Sequence, residues 1–416
     1  RCARSALRST ARVLSFASFS ASASATSPIM ASAATTTARA PVTSPATTLA
    51  KRASRRSAAL AARAPRGALT RSFAASNAPG YAPGDVHPFG DVVVTASEKT
   101  AELAADALVL SMCEADAAAL TASDDVFESY GKGLAAIVHD VATAEEFKGK
   151  AGSSAFARVP AAMGLPFKLV GVVGVGKAGE IGADAWTALG AAAAAAANKA
   201  KCESLVVAKY WMGDAPEEFE TKARAIAVGA YLGAFDDQRF KSEKQAKTLR
   251  LISVATPAGA DVSGALTRAK ATAAGVALTK QLVAAPPNVV TPTALADVAR
   301  AIAAEFKDTM SVKILEKKDC EKLGMGSFLG VSEASDEPPK FIHLTYTPKG
   351  KKAKDLTNVA VVGKGLTFDS GGYNIKAGAG SMIEMMKFDV RPLARPRVVA
   401  VAVVATTTTI VHVITY

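Results

Sequence analysis

The chain has 416 residues, half of them apolar and 21% charged, which supplies packed cores for two or three domains. Its formal net charge of +12 resides in residues 1–84, where 12 of the 49 Lys and Arg stand without a single Asp or Glu. The remaining 37 basic residues face 37 acidic ones, so the folded part carries no basic footprint and nucleic acid is excluded as a default partner.

In chain order, residues 1–84 are rich in Ala, Ser, Thr and Arg, the composition of an organelle transit peptide. The Ser/Thr/Ala content points to a chloroplast, with a mitochondrion or the cytoplasm as alternatives. Residues 85–262 alternate β-branched segments at 92–95, 107–111, 169–175, 205–208 and 251–254 with helical stretches at 181–200 and 222–232. Alternation of that kind predicts an α/β domain with a largely parallel sheet. Residues 263–390 form a second α/β block. A helix over 266–285 is broken by Ala285-Pro286-Pro287-Asn288, and Thr291-Pro292 restarts one as N-cap and first-turn proline. Strands are expected at 312–315, 341–346 and 359–362. Residues 391–416 read as an aberrant apolar tail: the last 19 carry no formal charge and follow an Arg-rich stretch. Their length would just span a bilayer, but a Val/Ala/Thr run with four consecutive Thr suits β-structure better, so no membrane anchor is expected.

Cys2, Cys113, Cys202 and Cys320 form no CxxC pair, which argues against a disulfide scaffold or a Cys-based zinc site and fits a reducing compartment. His87, His139, His343 and His412 form no HExxH, so any metal chemistry here rests on carboxylates. His343 within its strand, Trp186, Trp211 and the 191–197 alanine run read as structural.

Two glycine-rich segments invite a functional reading. Gly174-Val175-Gly176-Lys177-Ala178-Gly179 follows a strand and opens a helix, as a dinucleotide fingerprint requires. The next strand, however, ends in Lys209 and Tyr210 instead of the acid that would hold a ribose, and a tight strand-to-helix turn needs glycines anyway. The second segment, Gly363-Lys364-Gly365-Leu366-Thr367-Phe368-Asp369-Ser370-Gly371-Gly372-Tyr373-Asn374-Ile375-Lys376, leaves a buried strand and is followed by Met386-Lys387-Phe388-Asp389. Glycines let backbone close around a small object, and carboxylates held there suit hard divalent cations. An ordinary surface loop is the alternative.

GKGLTFDSGGYNIK followed by MKFD resembles the signature of the leucine aminopeptidase (cytosol aminopeptidase) family in its plant and algal form. GAYLGAFDDQRFKSE, LVAAPPNVVTPTALAD and KLGMGSFLGVSEASDEPPKFIHLTY resemble further blocks of that family, in order. The resemblance implies an amino-terminal macro-like α/β domain at 85–262 and a catalytic α/β domain, here partial, at 263–390. It implies a homo-hexamer that removes amino-terminal residues, often Leu, from peptide substrates with two divalent metal ions, Mn²⁺ or Zn²⁺. By the same resemblance Lys364, Asp369 and Asp389 are metal ligands, Asp369 bridging both ions, and Lys376 is the catalytic lysine that polarises the scissile carbonyl. The family's NTDAEGR motif does not occur in these residues, so impaired metal binding and an inactive chain are expected. The alternative function is a non-catalytic ligand- or partner-binding module built on the amino-terminal domain.

Overall fold

The computed structural model describes residues 88–98, 105–209, 216–350, 359–391 and 409–415. Residues 1–84, read from sequence as a transit peptide, and Trp211 lie outside the described residues.

The first sheet has six strands: β1 (Val93–Ser97), β2 (Ala107–Cys113), β3 (Ser154–Arg158), β4 (Leu169–Gly176), β5 (Ser204–Lys209) and β6 (Leu251–Ala255), in the order β1-β6-β5-β2-β4-β3. All pairs are parallel except β3 with β4. Helices α1 (Glu114–Ala119), α2 (Asp125–Tyr130) and α3 (Leu134–Ala144) follow β2, α4 (Ala183–Lys199) follows β4, and α5 (Pro216–Ala234) follows β5. Every residue of β2 and β4 is buried, because helices cover both faces of the sheet. On one face Val109, Val173 and Val207 meet Trp186, Leu189, Phe219 and Ile226 of α4 and α5. On the other, Leu108, Leu110 and Val172 meet Phe127, Leu134 and Val138 of α2 and α3. The parallel sheet expected from the strand–helix alternation is therefore present. The strand β3 was not foreseen, because its short Ser-Ala-Phe-Ala-Arg text has little β-branched character.

Asp106 ties the entry edge of this sheet together. Its carboxylate accepts the Glu203 amide at 2.6 Å and the Lys168 ammonium at 2.9 Å, and its own amide donates to Ser204 Oγ. Burial alone would raise its pKa, but the Glu203 amide and Lys168 outweigh burial and hold the carboxyl below its usual range. Asp106→Ala is expected to cost about 2 kcal/mol at pH 7, the worth of hydrogen bonds to a charged acceptor. A depressed carboxylate stabilises the fold above its unfolded-state pKa of about 4 and loses that contribution as pH falls through the folded value. Denaturant midpoints of the two proteins should therefore converge in acid.

The second block begins with α6 (Ser263–Ala284), which links two cores. Ala265, Ala269 and Ala273 in its first half join the first core against α5, whereas Leu278 and Leu282 in its second half pack with Leu295 and Val298. The latter two lie on α7 (Pro292–Glu305), whose N-cap is the expected Thr291, its hydroxyl accepting from the Ala294 amide at 3.2 Å. After it come β7 (Met310–Leu315), α8 (Lys317–Lys322), α9 (Gly326–Ser332), β8 (Lys340–Tyr346), β9 (Val359–Gly365), β10 (Val390–Arg391) and β11 (Thr409–Thr415).

The second sheet runs β10-β9-β11-β8-β7 and is mixed: only β11 and β9 are parallel. From sequence, 391–416 stands apart as a tail, yet seven of its residues occupy the middle of this sheet as β11. A run of Thr, Ile and Val favours that role physically, since β-branched side chains suit a pleated surface. Among the described residues no helix is long and apolar enough to cross a membrane.

Candidate active site

Strand β9 delivers Lys364 and then opens into the glycine-rich turn. The two-residue strand β10 returns antiparallel, with Val390 opposite Gly365 and Arg391 opposite Lys364. That register carries the backbone of Asp389, the last residue of a 3₁₀ segment over Ile383–Asp389, to the mouth from which β9 emerges. The Asp389 side chain itself lies outside what the structure describes.

Within the turn, Asp369 and Lys376 meet. The Lys376 ammonium donates to Asp369 Oδ2 at 2.5 Å, and the Gly371 amide donates to Asp369 Oδ1 at 2.8 Å. Both partners are about a quarter exposed, at 28% for Asp369 and 25% for Lys376, so the pair is open to a ligand while partly shielded from water. Gly371 is required here. At φ +85° it lies in the left-handed region, and a Cβ would sit 2.6 Å from Lys376 Cγ. The next three residues, Gly372, Tyr373 and Asn374, are also left-handed, and two of them carry side chains. Backbone of that kind costs of order 1–2 kcal/mol per residue and concentrates at ligand-binding turns.

Met386 supports the pair from below. Its carbonyl accepts the Asp369 amide at 3.4 Å, and its sulfur lies 3.3 Å from Lys376 Nζ. Lys387 next to it donates to the Ala284 carbonyl at the end of α6, at 3.0 Å. Sequence reasoning did not single out Met386 or Lys387. Their only signal was position, immediately before an acid in a motif. Phe368, Tyr373, Ile375, Met382 and Met385 leave exposed apolar surface along the same segment.

Of the four residues expected from sequence, the structure brings Asp369 and Lys376 into contact. It places Lys364 on the exposed side of β9 and the Asp389 backbone beside the end of that strand. Among the described residues no three His, Cys, Asp or Glu side chains gather closely enough to hold a metal ion. The donor chemistry therefore fits a divalent ion in part. Asp369 offers a carboxylate that already attracts a cation, while a full oxygen shell needs further ligands.

The other glycine-rich segment has a packing explanation. Gly174 exchanges hydrogen bonds with Gly152 and Ser153, and the Gly176 amide donates to the Gly149 carbonyl. A Cβ on Gly174 would lie 2.1 Å from the Lys150 carbonyl oxygen. Two of its three glycines thus allow the 149–153 strand of chain to lie against the end of β4.

The protein is thus of the mixed α/β class, with two sheets joined through α6 and an Asp–Lys pair on a glycine turn. Comparison with known proteins makes this specific. The profile described as cytosol aminopeptidase family, N-terminal domain, matches residues 109–244, and that for the catalytic domain matches 277–416. A probable cytosol aminopeptidase of Nostoc punctiforme is 44% identical over 289 residues, 69% of this chain and 55% of that protein. The chloroplastic neutral leucine aminopeptidase of Solanum lycopersicum is 42% identical over 62% of this chain and 44% of its own length. Among solved structures, a mutant of tomato leucine aminopeptidase superposes with a TM-score of 0.65 at 30% identity, covering 78% of this chain and 62% of that one. The chain belongs to the cytosol aminopeptidase family, and it spans about half the length of the relatives it matches.

Proposed function

We propose that the protein is a metal-dependent aminopeptidase that releases amino-terminal residues, Leu among them, from peptides. The observation that carries the reading is the Asp369–Lys376 pair on the glycine-rich turn, within a chain that matches both domains of one peptidase family. Asp369, Lys364 and Asp389 would hold divalent ions, Mn²⁺ or Zn²⁺. When bound, such ions lower the pKa of water and polarise a carbonyl. The residues of the chain do the rest. The Lys376 ammonium, held on the turn by Asp369, would face the oxygen on which charge develops during attack, a kind of donor worth about 3 kcal/mol. Phe368, Ile375, Met382 and Met385 offer apolar surface to a leucyl side chain. A homo-hexamer and a plastid location are part of the same proposal, the latter supported by the chloroplastic relatives and the acid-free basic leader.

Asp369 and Asp389 are the acids these 416 residues assign to the ions, so metal binding is expected to be impaired; against the inactive chain expected from sequence, we propose that millimolar metal still supports slow turnover. The test is release of chromophore from a leucyl anilide by the purified protein across a Mn²⁺ and Zn²⁺ titration. Metal-dependent release, abolished by a chelator and by Asp369→Ala, is the expected result. Absence of release at millimolar metal, with the protein folded, would sink the peptidase reading for this polypeptide. The binding-module alternative rests on 174–179, where packing against 149–153 accounts for Gly174 and Gly176 without a ligand.

A further inference from the structure

The carboxy-terminal end of α6 is where three parts of the molecule meet. A helix leaves its last carbonyls unsatisfied, and its dipole makes that end favourable for cations. Here the Ala285 amide reaches the Gln281 carbonyl, but Pro286 and Pro287 follow at once and carry no N–H, so the helical donors to the Leu282 and Val283 carbonyls are missing. Cationic side chains arrive from elsewhere at this end. The Arg239 guanidinium donates to the Gln281 carbonyl at 2.7 Å, and the Lys387 ammonium to the Ala284 carbonyl at 3.0 Å.

Neither contact is an isolated surface pairing. Arg239 is locked by a two-pronged bond to Asp237, at 2.9 and 2.8 Å, with both side chains largely buried. It belongs to the irregular stretch of the first domain that leads from α5 to β6. Lys387 lies in the 3₁₀ segment whose preceding residue, Met386, contacts both members of the Asp369–Lys376 pair. The path from Arg239 to Lys376 therefore runs through one helix end and one turn.

We propose that Lys387 is a positioning residue: it fixes the Met386 turn to the end of α6 and thereby holds Asp369 and Lys376 in place, while Arg239 fixes the same helix end to the first domain. The proposal rests on the reading of Asp369 and Lys376 as site residues, but its geometry is independent of turnover. Without the Lys387 anchor, Met386 is free to move, and the Asp369 amide loses its partner.

Hydrogen exchange of the full 416-residue protein without metal tests this. Lys387→Met should speed exchange of the Asp369 amide and of 383–389 about tenfold, the worth of one hydrogen bond to a charged donor, and leave α4 unchanged. Lys387→Arg, which keeps a cationic donor within reach of Ala284, should restore protection, and a Mn²⁺ titration should show the same loss and rescue in affinity. Lys387 is partly exposed and packs on the Phe388 ring, so the variants should fold. If Lys387→Met does not, Lys387→Gln carries the same expectation. Unchanged exchange at Asp369, equal loss throughout the molecule, or no rescue by Arg would each overturn the proposal. If the exchange pattern holds and the protein releases no Leu, the peptidase reading fails and the positioning role stands. If Leu is released and exchange is unmoved, the reverse follows.

Discussion

Gly229→Ala, a single added methyl group, should lower stability by about 3 kcal/mol, at the upper end of the range for overpacking. The new Cβ would lie 1.9 Å from the Thr187 carbonyl oxygen and 3.0 Å from the Ala191 nitrogen of the facing helix. Helices α4 and α5 touch backbone to backbone along this seam. Gly190 approaches the Ile226 carbonyl and Gly233 the Ala191 carbonyl equally closely, while Ala193, Ala194 and Ala197 are fully buried. Alanine is the better helix former by about 1 kcal/mol, which works in the opposite direction. The clash wins because the obstructing atoms are backbone and cannot rotate away. Gly330→Ala is the control. That glycine lies exposed in α9 with nothing within 4 Å of its added Cβ, so only the propensity gain of up to about 1 kcal/mol should remain. At about 3 °C per kcal/mol for a domain of 150–250 residues, such as the first domain, its thermal transition should fall by roughly 10 °C in Gly229→Ala, while Gly330→Ala melts unchanged or higher. A Gly229→Ala protein melting with its parent would mean that the two helices can part without cost.

The same seam shows what the sequence conveyed and what it did not. The 191–197 alanine run reads as helix from propensity alone, but nothing in its text says that a second helix with glycines at 229 and 233 lies against it. Helix positions and the first parallel sheet were legible because apolar periodicity and turn residues are local. The order β1-β6-β5-β2-β4-β3 was not, since it is set by packing across long separations. At the site, Asp369 and Lys376 were legible as chemistry, a carboxylate and an amine among glycines. Their direct contact, and the Met386 and Lys387 supports, depend on four left-handed residues in succession, which only the folded turn reveals. The strand β11 was hidden for another reason: a charge-free Val/Ala/Thr text fits a tail, an anchor or a central strand until its partners are known.

The largest effect at the site itself concerns that pair. The Lys376 ammonium occupies Asp369 Oδ2, so a metal ion held by the Asp369 carboxylate would compete with it for the same charge. Two unit charges 4 Å apart interact by roughly 4 kcal/mol at an effective dielectric constant of about 20, and partial exposure of both partners reduces this to about 1 kcal/mol. Lys376→Met should therefore tighten Mn²⁺ binding by several-fold, whereas Asp369→Asn should abolish it, because the amide lacks the charge a dication needs. Turnover should move the other way. If Lys376 steadies the developing oxyanion, its removal should lower kcat by about 10²–10³ with little change in KM. Opposite signs in metal affinity and in rate separate an electrostatic role from a scaffolding one, since a lysine that only braced the turn would weaken both when removed. Calorimetric titration of the metal-free protein reads the first sign without requiring activity, and the leucyl anilide assay reads the second. A Lys376→Met protein that binds Mn²⁺ more weakly than its parent would leave Lys376 as a brace for Asp369 and remove it from the chemistry.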